Sequence, residues 1–232
     1  MIKAIIFDLD GTLLDRDSSL FSFVDDQYNR LARHVQHIPK DLFIKRFIEL
    51  DAKGYVWKDR VYQQLIKELG IRGIEWQTML ADYVANFKNH CLPFPDLTVM
   101  LENLSQQSFR LGMITNGRGQ FQLDSILALE IKDYFEEILI SEWEGMAKPD
   151  AAIFHKALAS LGVSASEAIY IGDHPKNDIQ AAKLIGMKTI WKKDGHWSCL
   201  DADGEIDGLK EIAEWVERLN TEKEMFEKEK GR

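Results

Sequence analysis

The residues of this chain best suited to chemistry are two aspartates near its start. Asp8 and Asp10 follow the apolar run 2–7, in which only Lys3 is polar and which predicts a buried parallel strand. Gly11 then lets the backbone turn sharply. Because side chains alternate along a strand, both carboxylates can point out of its carboxyl end, where open α/β sheets bind ligands. Two carboxylates about 4 Å apart repel by roughly 1–4 kcal/mol, and a hard cation or a shared proton relieves that repulsion.

Three further groups of polar residues follow apolar runs later in the chain. They are Thr115 and Asn116 at the end of run 109–115, Lys148 shortly after run 137–140, and Asp173 and Asp178 after run 168–171. If each run is a strand of one doubly wound sheet, all of these side chains lie at the same edge. The four aspartates and the lysine then carry a net charge of −3 when fully ionised, which a divalent cation reduces to −1. This arrangement predicts a Mg²⁺ site that accepts a phosphate dianion.

The apolar spacing from residue 93 onward alternates between strand and helix. Predicted strands cover 109–115, 137–140, 168–171 and 187–191, and predicted helices cover 96–104, with Asp96 as N-cap, 120–129, 149–161 and 178–185. Alternation of this kind is typical of a parallel, doubly wound sheet, so we predict an α/β fold with a Rossmann-like core. The stretch 221–232 is almost wholly charged, which predicts a solvated end.

The segment between the first motif and residue 93 has helical spacing throughout. Phe21, Val24 and Tyr28, for example, recur on one helical face. Pro93 and Pro95 then prevent the last of these helices from continuing. The predicted domains are a helical cap domain at 15–92 and an α/β core formed by 1–14 and 93–232.

Composition restricts the class of protein further. The 232 residues carry a formal net charge of −9, which argues against a nucleic-acid-binding face, because such faces need clustered Lys and Arg. No run approaches the roughly 18 apolar residues of a membrane helix, and the N-terminus lacks the apolar region of a signal peptide. Cys91 and Cys199 fit no metal-ligand spacing and indicate two reduced thiols. We expect a soluble cytoplasmic protein, monomeric or homodimeric, that binds neither nucleic acid nor membrane.

Taken together and in order, these motifs resemble the haloacid dehalogenase superfamily, in its Asp-x-Asp aspartyl-phosphate phosphatase branch. The resemblance covers nearly the whole chain, with motifs at 8–12, 115–117, 148–149 and 172–178. It implies that Asp8 is the nucleophile that attacks phosphorus and forms an aspartyl-phosphate. It also implies that Asp10 protonates the leaving oxygen and then deprotonates the attacking water.

The same resemblance implies a role for each remaining polar residue. Expected contacts to the phosphoryl group come from the Thr115 hydroxyl, the Asn116 backbone N–H and Lys148. Expected Mg²⁺ ligands are Asp8, Asp10 through its backbone carbonyl, and Asp173. Asp178 is expected to act one step further out, on Lys148 or on water at the metal.

Several activities of this superfamily remain as alternatives. Asp10 argues against a dehalogenase, which lacks the second aspartate and needs no metal. Thr12, where phosphomutases often carry valine, favours hydrolysis over phosphoryl transfer within a sugar. A phosphonatase needs a desolvated cap lysine, and nothing in the sequence marks one. A non-catalytic module that binds a phosphometabolite would have lost a motif residue, and none is missing. We therefore predict a Mg²⁺-dependent phosphatase for a small phosphorylated metabolite, with phosphomutase, phosphonatase or binding module as alternatives.

Overall fold

The computed structural model describes the backbone of residues 1–199 and 201–230, and the side chains of this part of the chain up to residue 221. Within it, six strands form one parallel sheet in the order β3-β2-β1-β4-β5-β6. The strands are β1 Ala4–Phe7, β2 Arg110–Thr115, β3 Glu137–Ile140, β4 Ala168–Gly172, β5 Lys188–Lys192 and β6 Gly204–Ile206. This topology confirms the predicted doubly wound α/β fold.

Eleven α-helices lie in the described part of the chain. In chain order they are α1 Arg16–Arg30, α2 Ala32–Val35, α3 Lys40–Asp51, α4 Lys58–Leu69, α5 Trp76–Asn86, α6 Leu97–Gln106, α7 Gly119–Ala128, α8 Ser141–Glu144, α9 Ala151–Ser160, α10 Ala181–Leu184 and α11 Ile212–Lys230. Short 3₁₀ turns occupy Ala52–Gly54, Phe87–His90, Lys132–Tyr134, Ala165–Glu167 and Leu209–Glu211, and a π-helical turn occupies Pro175–Gln180. No helix among the described residues combines the length and apolarity needed to cross a membrane.

The central strand β1 sets the level of the sheet's carboxyl edge. Its last residue, Phe7, is in register with Met113 of β2 on one side and with Ile171 of β4 on the other. Every residue of β1 and β4 is buried, which explains why both strands are continuous apolar runs in the sequence. Because the three strands end at nearly the same height, the residues that follow them lie at one edge.

Three predictions about individual elements were confirmed only in part. Run 187–191 was predicted as the last strand, but β6 follows it and pairs in parallel with β5. The predicted helix 178–185 begins earlier, as the π-helical turn, because the His174 ring nitrogen accepts the N–H groups of Lys176 (3.1 Å) and Asn177 (3.0 Å). Asp96 does occupy the N-cap position of α6, but its backbone is left-handed and its side chain makes no capping hydrogen bond.

The chain divides into two compact units. The first consists of Met1–Asp15 and Pro93–Arg232 and contains the whole sheet, whereas the second is Arg16–Leu92 and contains α1 to α5. The exit and return of the chain lie side by side in the first unit, because the Phe94 N–H donates to the Leu13 carbonyl (3.0 Å). A long segment can therefore be inserted there without disturbing the sheet.

The helical unit has an aromatic core of its own. The rings of Phe23 and Tyr83 meet edge to face with centroids 5.1 Å apart, and those of Phe47 and Tyr62 do so at 5.4 Å. All four side chains are buried. Complete burial of one large apolar side chain stabilises a fold by roughly 1.5–3 kcal/mol, so these rings contribute substantially to the stability of this unit.

The charged end of the chain was predicted to be solvated. Helix α11 continues through Lys230, but the side chains after residue 221 lie outside the described part of the chain, so this prediction stays untested.

Candidate active site

The site is centred on an ammonium group and two carboxylates at the carboxyl edge of the sheet. Lys148 Nζ donates to Asp8 Oδ1 (2.6 Å) and to Asp178 Oδ1 (2.7 Å). All three side chains are buried. Asp8 directly follows β1, and its N–H continues the ladder by donating to the Ile171 carbonyl (2.9 Å). Residues far apart in sequence therefore form one charge cluster beside the end of the central strand.

Lys148 is held in place at both ends. Its backbone N–H donates to Asn116 Oδ1 (2.9 Å), and its carbonyl accepts from Asn116 Nδ2 (2.8 Å). Its ammonium also donates to the Tyr170 hydroxyl (3.0 Å). The Asn116 side chain therefore positions the loop that carries the lysine, a contact that the sequence analysis did not predict.

A third carboxylate completes an acidic cluster. One oxygen each from Asp8, Asp173 and Asp178 lie within 4.8 Å of one another. The backbone of Asp173 is fixed by the indole N–H of Trp191, which donates to its carbonyl (2.6 Å). Gly11 permits the close approach of the Asp173 side chain, because a Cβ at residue 11 would lie 2.4 Å from Asp173 Oδ2. Its φ of +83° also favours glycine.

The electrostatics of the cluster show a deficit of positive charge. Burial raises the pKa of Asp8 to about 7, helped by Asp178 and Asp10 and opposed by Lys148. Burial, Asp8 and Asp178 together raise the pKa of Asp173 to about 9. Burial acts against the charged form of Lys148, but Asp178 and Asp8 hold its pKa well above the ordinary value. One ammonium is thus too little to stabilise all of the surrounding carboxylates in their ionised form.

The donors and charges of this cluster fit a hard divalent cation. Carboxylate and carbonyl oxygens are the ligands that Mg²⁺ prefers, and the cluster offers them without a nitrogen or sulfur donor among its described members. A cation would also stabilise the ionised forms of Asp8 and Asp173, whose pKa values are raised by burial and, to a smaller extent, by the neighbouring carboxylates. Asp178 is already occupied, because its Oδ1 accepts from Lys148 and its Oδ2 accepts from the His174 N–H (3.0 Å).

Asp10 and Thr115 are connected through a residue that the sequence analysis missed. Gln122 Nε2 donates to Asp10 Oδ2 (2.8 Å) and to Thr115 Oγ1 (2.6 Å). Gln122 lies on α7 and is almost completely buried. A polar residue in the middle of a helix gives little signal in a sequence, because most such residues face solvent.

Tyr170 was missed for a similar reason. It lies inside the buried strand β4, where an aromatic residue is expected for packing alone. Its hydroxyl nevertheless contacts the Lys148 ammonium and donates to the Ile114 carbonyl (3.3 Å). Polar residues at strand ends could be predicted as site residues from the sequence, whereas the hydroxyl of a tyrosine inside a buried strand could not.

Fold and site together define the class of protein, an α/β enzyme of Rossmann-like topology with an acidic site at the carboxyl edge of its sheet. The chain belongs to the haloacid dehalogenase-like hydrolase family, which matches residues 5–192. This confirms the resemblance inferred from the four motifs.

Similar proteins agree with this assignment. The chain is 32% identical over 228 residues to the glyceraldehyde 3-phosphate phosphatase of Pyrococcus furiosus, with 94% of this chain and 95% of that protein covered. A solved haloacid dehalogenase-like (HAD) phosphatase from Thermococcus onnurineus is 26% identical, with a TM-score of 0.66, and the match covers 93% of this chain and 98% of that one. A solved 2-haloacid dehalogenase from Pseudomonas syringae pv. tomato DC3000 is 29% identical, with a TM-score of 0.63 and coverage of 94% and 99%. The protein is therefore a hydrolase of this family.

Proposed function

We propose that this protein is a Mg²⁺-dependent phosphatase that hydrolyses a small phosphorylated metabolite through an aspartyl-phosphate on Asp8. The observation that carries the proposal is the contact of one buried ammonium, that of Lys148, with both Asp8 and Asp178 beside a third carboxylate. A lysine in this position can neutralise charge on a nucleophile and on the phosphoryl group that it attacks.

Asp8 acts as the nucleophile in the first step. One of its carboxylate oxygens forms a bond to phosphorus while the bond from phosphorus to the ester oxygen breaks. The leaving oxygen takes a proton from Asp10, so that an alcohol and an aspartyl-phosphate result. In the second step, Asp10 removes a proton from water, which attacks phosphorus and releases inorganic phosphate and the free Asp8 carboxylate.

The phosphoryl oxygens are bound by Lys148, by the Thr115 hydroxyl and by the Asn116 backbone N–H. Thr115 is buried at the end of β2, and Lys148 is fixed by the Asn116 side chain, so these donors are positioned before substrate arrives. Asp178 positions Lys148 rather than contacting the substrate, since its carboxylate accepts from the Lys148 ammonium and would repel phosphoryl oxygens.

Asp8, Asp173 and the backbone carbonyl of Asp10 would hold Mg²⁺, which when bound supplies positive charge against the phosphoryl oxygens. The helical segment 15–92 is proposed to serve as a cap over the core formed by 1–14 and 93–232. A cap of this kind limits access to small substrates and excludes water during the first step.

A three-carbon sugar phosphate is the first substrate to test, because the Pyrococcus furiosus relative is named for glyceraldehyde 3-phosphate. The test is inorganic phosphate release from a panel of small phosphate monoesters, including p-nitrophenyl phosphate. Turnover is expected with Mg²⁺ and is expected to disappear with EDTA and in Asp8→Asn. Turnover that survives both treatments would overturn the mechanism.

The dehalogenase relative defines the matching control. Halide release from a 2-haloacid, measured on the same preparation, should be absent because Asp10 is present. Halide release without phosphate release would replace the proposed reaction by dehalogenation.

A further inference from the structure

Gln122 has a pattern of contacts that the four sequence motifs do not explain. Its side-chain nitrogen donates to Asp10 Oδ2 (2.8 Å) and to Thr115 Oγ1 (2.6 Å), and it lies 3.5 Å from the Asn116 carbonyl. A primary amide nitrogen carries two N–H groups and no lone pair that accepts. Gln122 therefore acts as a donor to both side chains and joins the proposed acid/base residue to a proposed phosphoryl ligand.

Each of these contacts determines where a proton can be. The Oδ2 atom of Asp10 accepts from Gln122, so a transferable proton on Asp10 is favoured on Oδ1. The Thr115 hydroxyl oxygen also accepts from Gln122, so its own hydrogen is directed away from that amide and can be donated to another acceptor. Both effects come from a single side chain, and the hydrogen bonds are protected from water because Gln122 and Thr115 are buried.

The backbone makes room for this amide. A Cβ at residue 117 would lie 2.8 Å from Gln122 Cγ and 2.9 Å from its Cδ, which is closer than packed carbon atoms tolerate. Gly117 is thus the residue that lets the Gln122 side chain pass to Asp10 and Thr115. The glycine of this loop and the glutamine of α7 form one packed arrangement.

We propose that Gln122 is a positioning residue for proton transfer, which places the proton of Asp10 on Oδ1 and directs the Thr115 hydroxyl hydrogen toward the phosphoryl group. This inference rests on the proposed phosphatase function. Gln122 does not itself touch the reacting atoms. Its loss should impair the delivery of a proton to the leaving oxygen more than it impairs binding of the phosphoryl group.

Two esters with leaving groups of different basicity test this role. p-Nitrophenolate departs without a proton near neutral pH, whereas the alkoxide of benzyl phosphate needs one, and both carry a single aromatic ring. The quantity to measure is the ratio of kcat/KM for p-nitrophenyl phosphate to kcat/KM for benzyl phosphate, since kcat/KM reports the step that forms the aspartyl-phosphate. In Gln122→Met, which keeps the length of the side chain, this ratio should rise about tenfold, a fraction of the 10²- to 10⁴-fold that a general acid contributes.

Gln120→Met is the matched control. Gln120 lies on the same helix, but it is exposed and its side chain donates to Asp124 Oδ1. Its substitution should leave the ratio unchanged. If Gln122→Met does not fold by circular dichroism, Gln122→Leu also removes the N–H donors without adding a charge beside Asp10, and it should raise the ratio as well.

The outcomes separate this inference from the proposed function. Wild-type protein that releases no phosphate from any ester of the panel overturns the proposed function and the role of Gln122 with it. An active wild type whose ratio is the same in the folded Gln122 variants overturns the positioning role alone. Equal losses on both esters have the same meaning, because they indicate a general effect on packing or phosphoryl binding.

Discussion

The ammonium of Lys148 lies 2.6 Å from the carboxylate of Asp8, although 140 residues separate the two along the chain. Both side chains are buried, and the same ammonium contacts Asp178 at 2.7 Å. Removal of the lysine would leave two buried carboxylates without the cation that they share, and unpaired buried charges are strongly destabilising.

Replacement of Lys148 should therefore weaken both folding and turnover. Lys148→Met leaves Asp8 and Asp178 without their cation, and we expect the free energy of unfolding to fall by about 3–5 kcal/mol. Phosphate release should fall strongly as well. Urea unfolding and kcat/KM on the same preparation check both effects. Lys156→Met is the control, because Lys156 lies on α9 in an exposed pair with Glu144, and it should change neither quantity appreciably.

Replacement of Asp173 should have the opposite effect on stability. Burial, together with Asp8 and Asp178, raises the pKa of Asp173 to about 9, so without metal the folded protein keeps this carboxyl protonated at neutral pH, whereas the unfolded chain ionises it. Asp173→Asn removes that advantage of the unfolded chain and should stabilise the metal-free protein by a few kcal/mol. We also expect Mg²⁺ to raise the Tm of the wild type but not that of the variant, since a ligand that binds the native state raises Tm. Thermal unfolding with EDTA and with Mg²⁺ measures both.

The control for that experiment is Asp133→Asn, which removes an exposed carboxylate from the same unit. It should leave the Mg²⁺-dependent rise intact. An Asp173→Asn protein that is less stable than wild type without metal would contradict the proposed electrostatic deficit.

Gly11→Ala should disturb the site through sterics. The new Cβ would lie 2.4 Å from Asp173 Oδ2, at a residue whose φ is +83°. Gly70→Ala is the matched control, because φ is +63° there and nothing lies within 4 Å of a new Cβ. Gly70→Ala should cost about 1–2 kcal/mol from the left-handed backbone alone. Gly11→Ala should cost more and should also weaken Mg²⁺ binding, as titration calorimetry can measure.

The helical unit contains a second buried charge cluster, which should make its stability depend on pH. The Asp51 carboxylate is buried and accepts hydrogen bonds from Arg16 (2.8 Å) and from Lys58. All three residues belong to the helical unit. Although burial opposes its ionisation, Arg16 and Lys58 hold the pKa of Asp51 below its ordinary value. Because the folded-state pKa is lowered, ionised Asp51 stabilises the fold at pH values above its unfolded-state pKa of about 3.9. This contribution is lost as the pH falls from that value through the lower folded-state pKa.

Asp51→Asn should consequently lower the free energy of unfolding by about 3–5 kcal/mol near neutral pH, because the buried Lys58 ammonium loses its ion pair with Asp51. The difference from wild type should narrow below about pH 4, where unfolded Asp51 becomes protonated. Urea unfolding at several pH values tests this. Glu49→Gln, which removes a carboxylate from an exposed pair with Arg46, should have little effect at any pH. A constant difference between Asp51→Asn and wild type at every pH would contradict the argument.

Much of the sheet was predictable because buried parallel strands consist of continuous runs of apolar residues. β3 coincides with the predicted run 137–140, and β2 begins one residue inside the predicted run 109–115. β6 was missed because its three residues, Gly204–Ile206, are too few to show a period and begin with glycine. Its strand character comes from pairing with β5, a contact that no local pattern contains.

The charged members of the site were predictable for a different reason. Asp8, Lys148, Asp173 and Asp178 follow strands, and the topology of a doubly wound sheet brings the ends of its strands to one edge. The sequence therefore determined which of these charges meet, whereas the cation that we expect them to bind stays a prediction. The partners of those charges were decided by tertiary structure alone. Gln122 and Tyr170 lie within a helix and a strand, where local pattern reports only burial, and their polar tips reach the site only after α7 and β4 have packed. The physical reason is that hydrogen bonds are directional and short, so they depend on atomic positions that exist only in the folded chain.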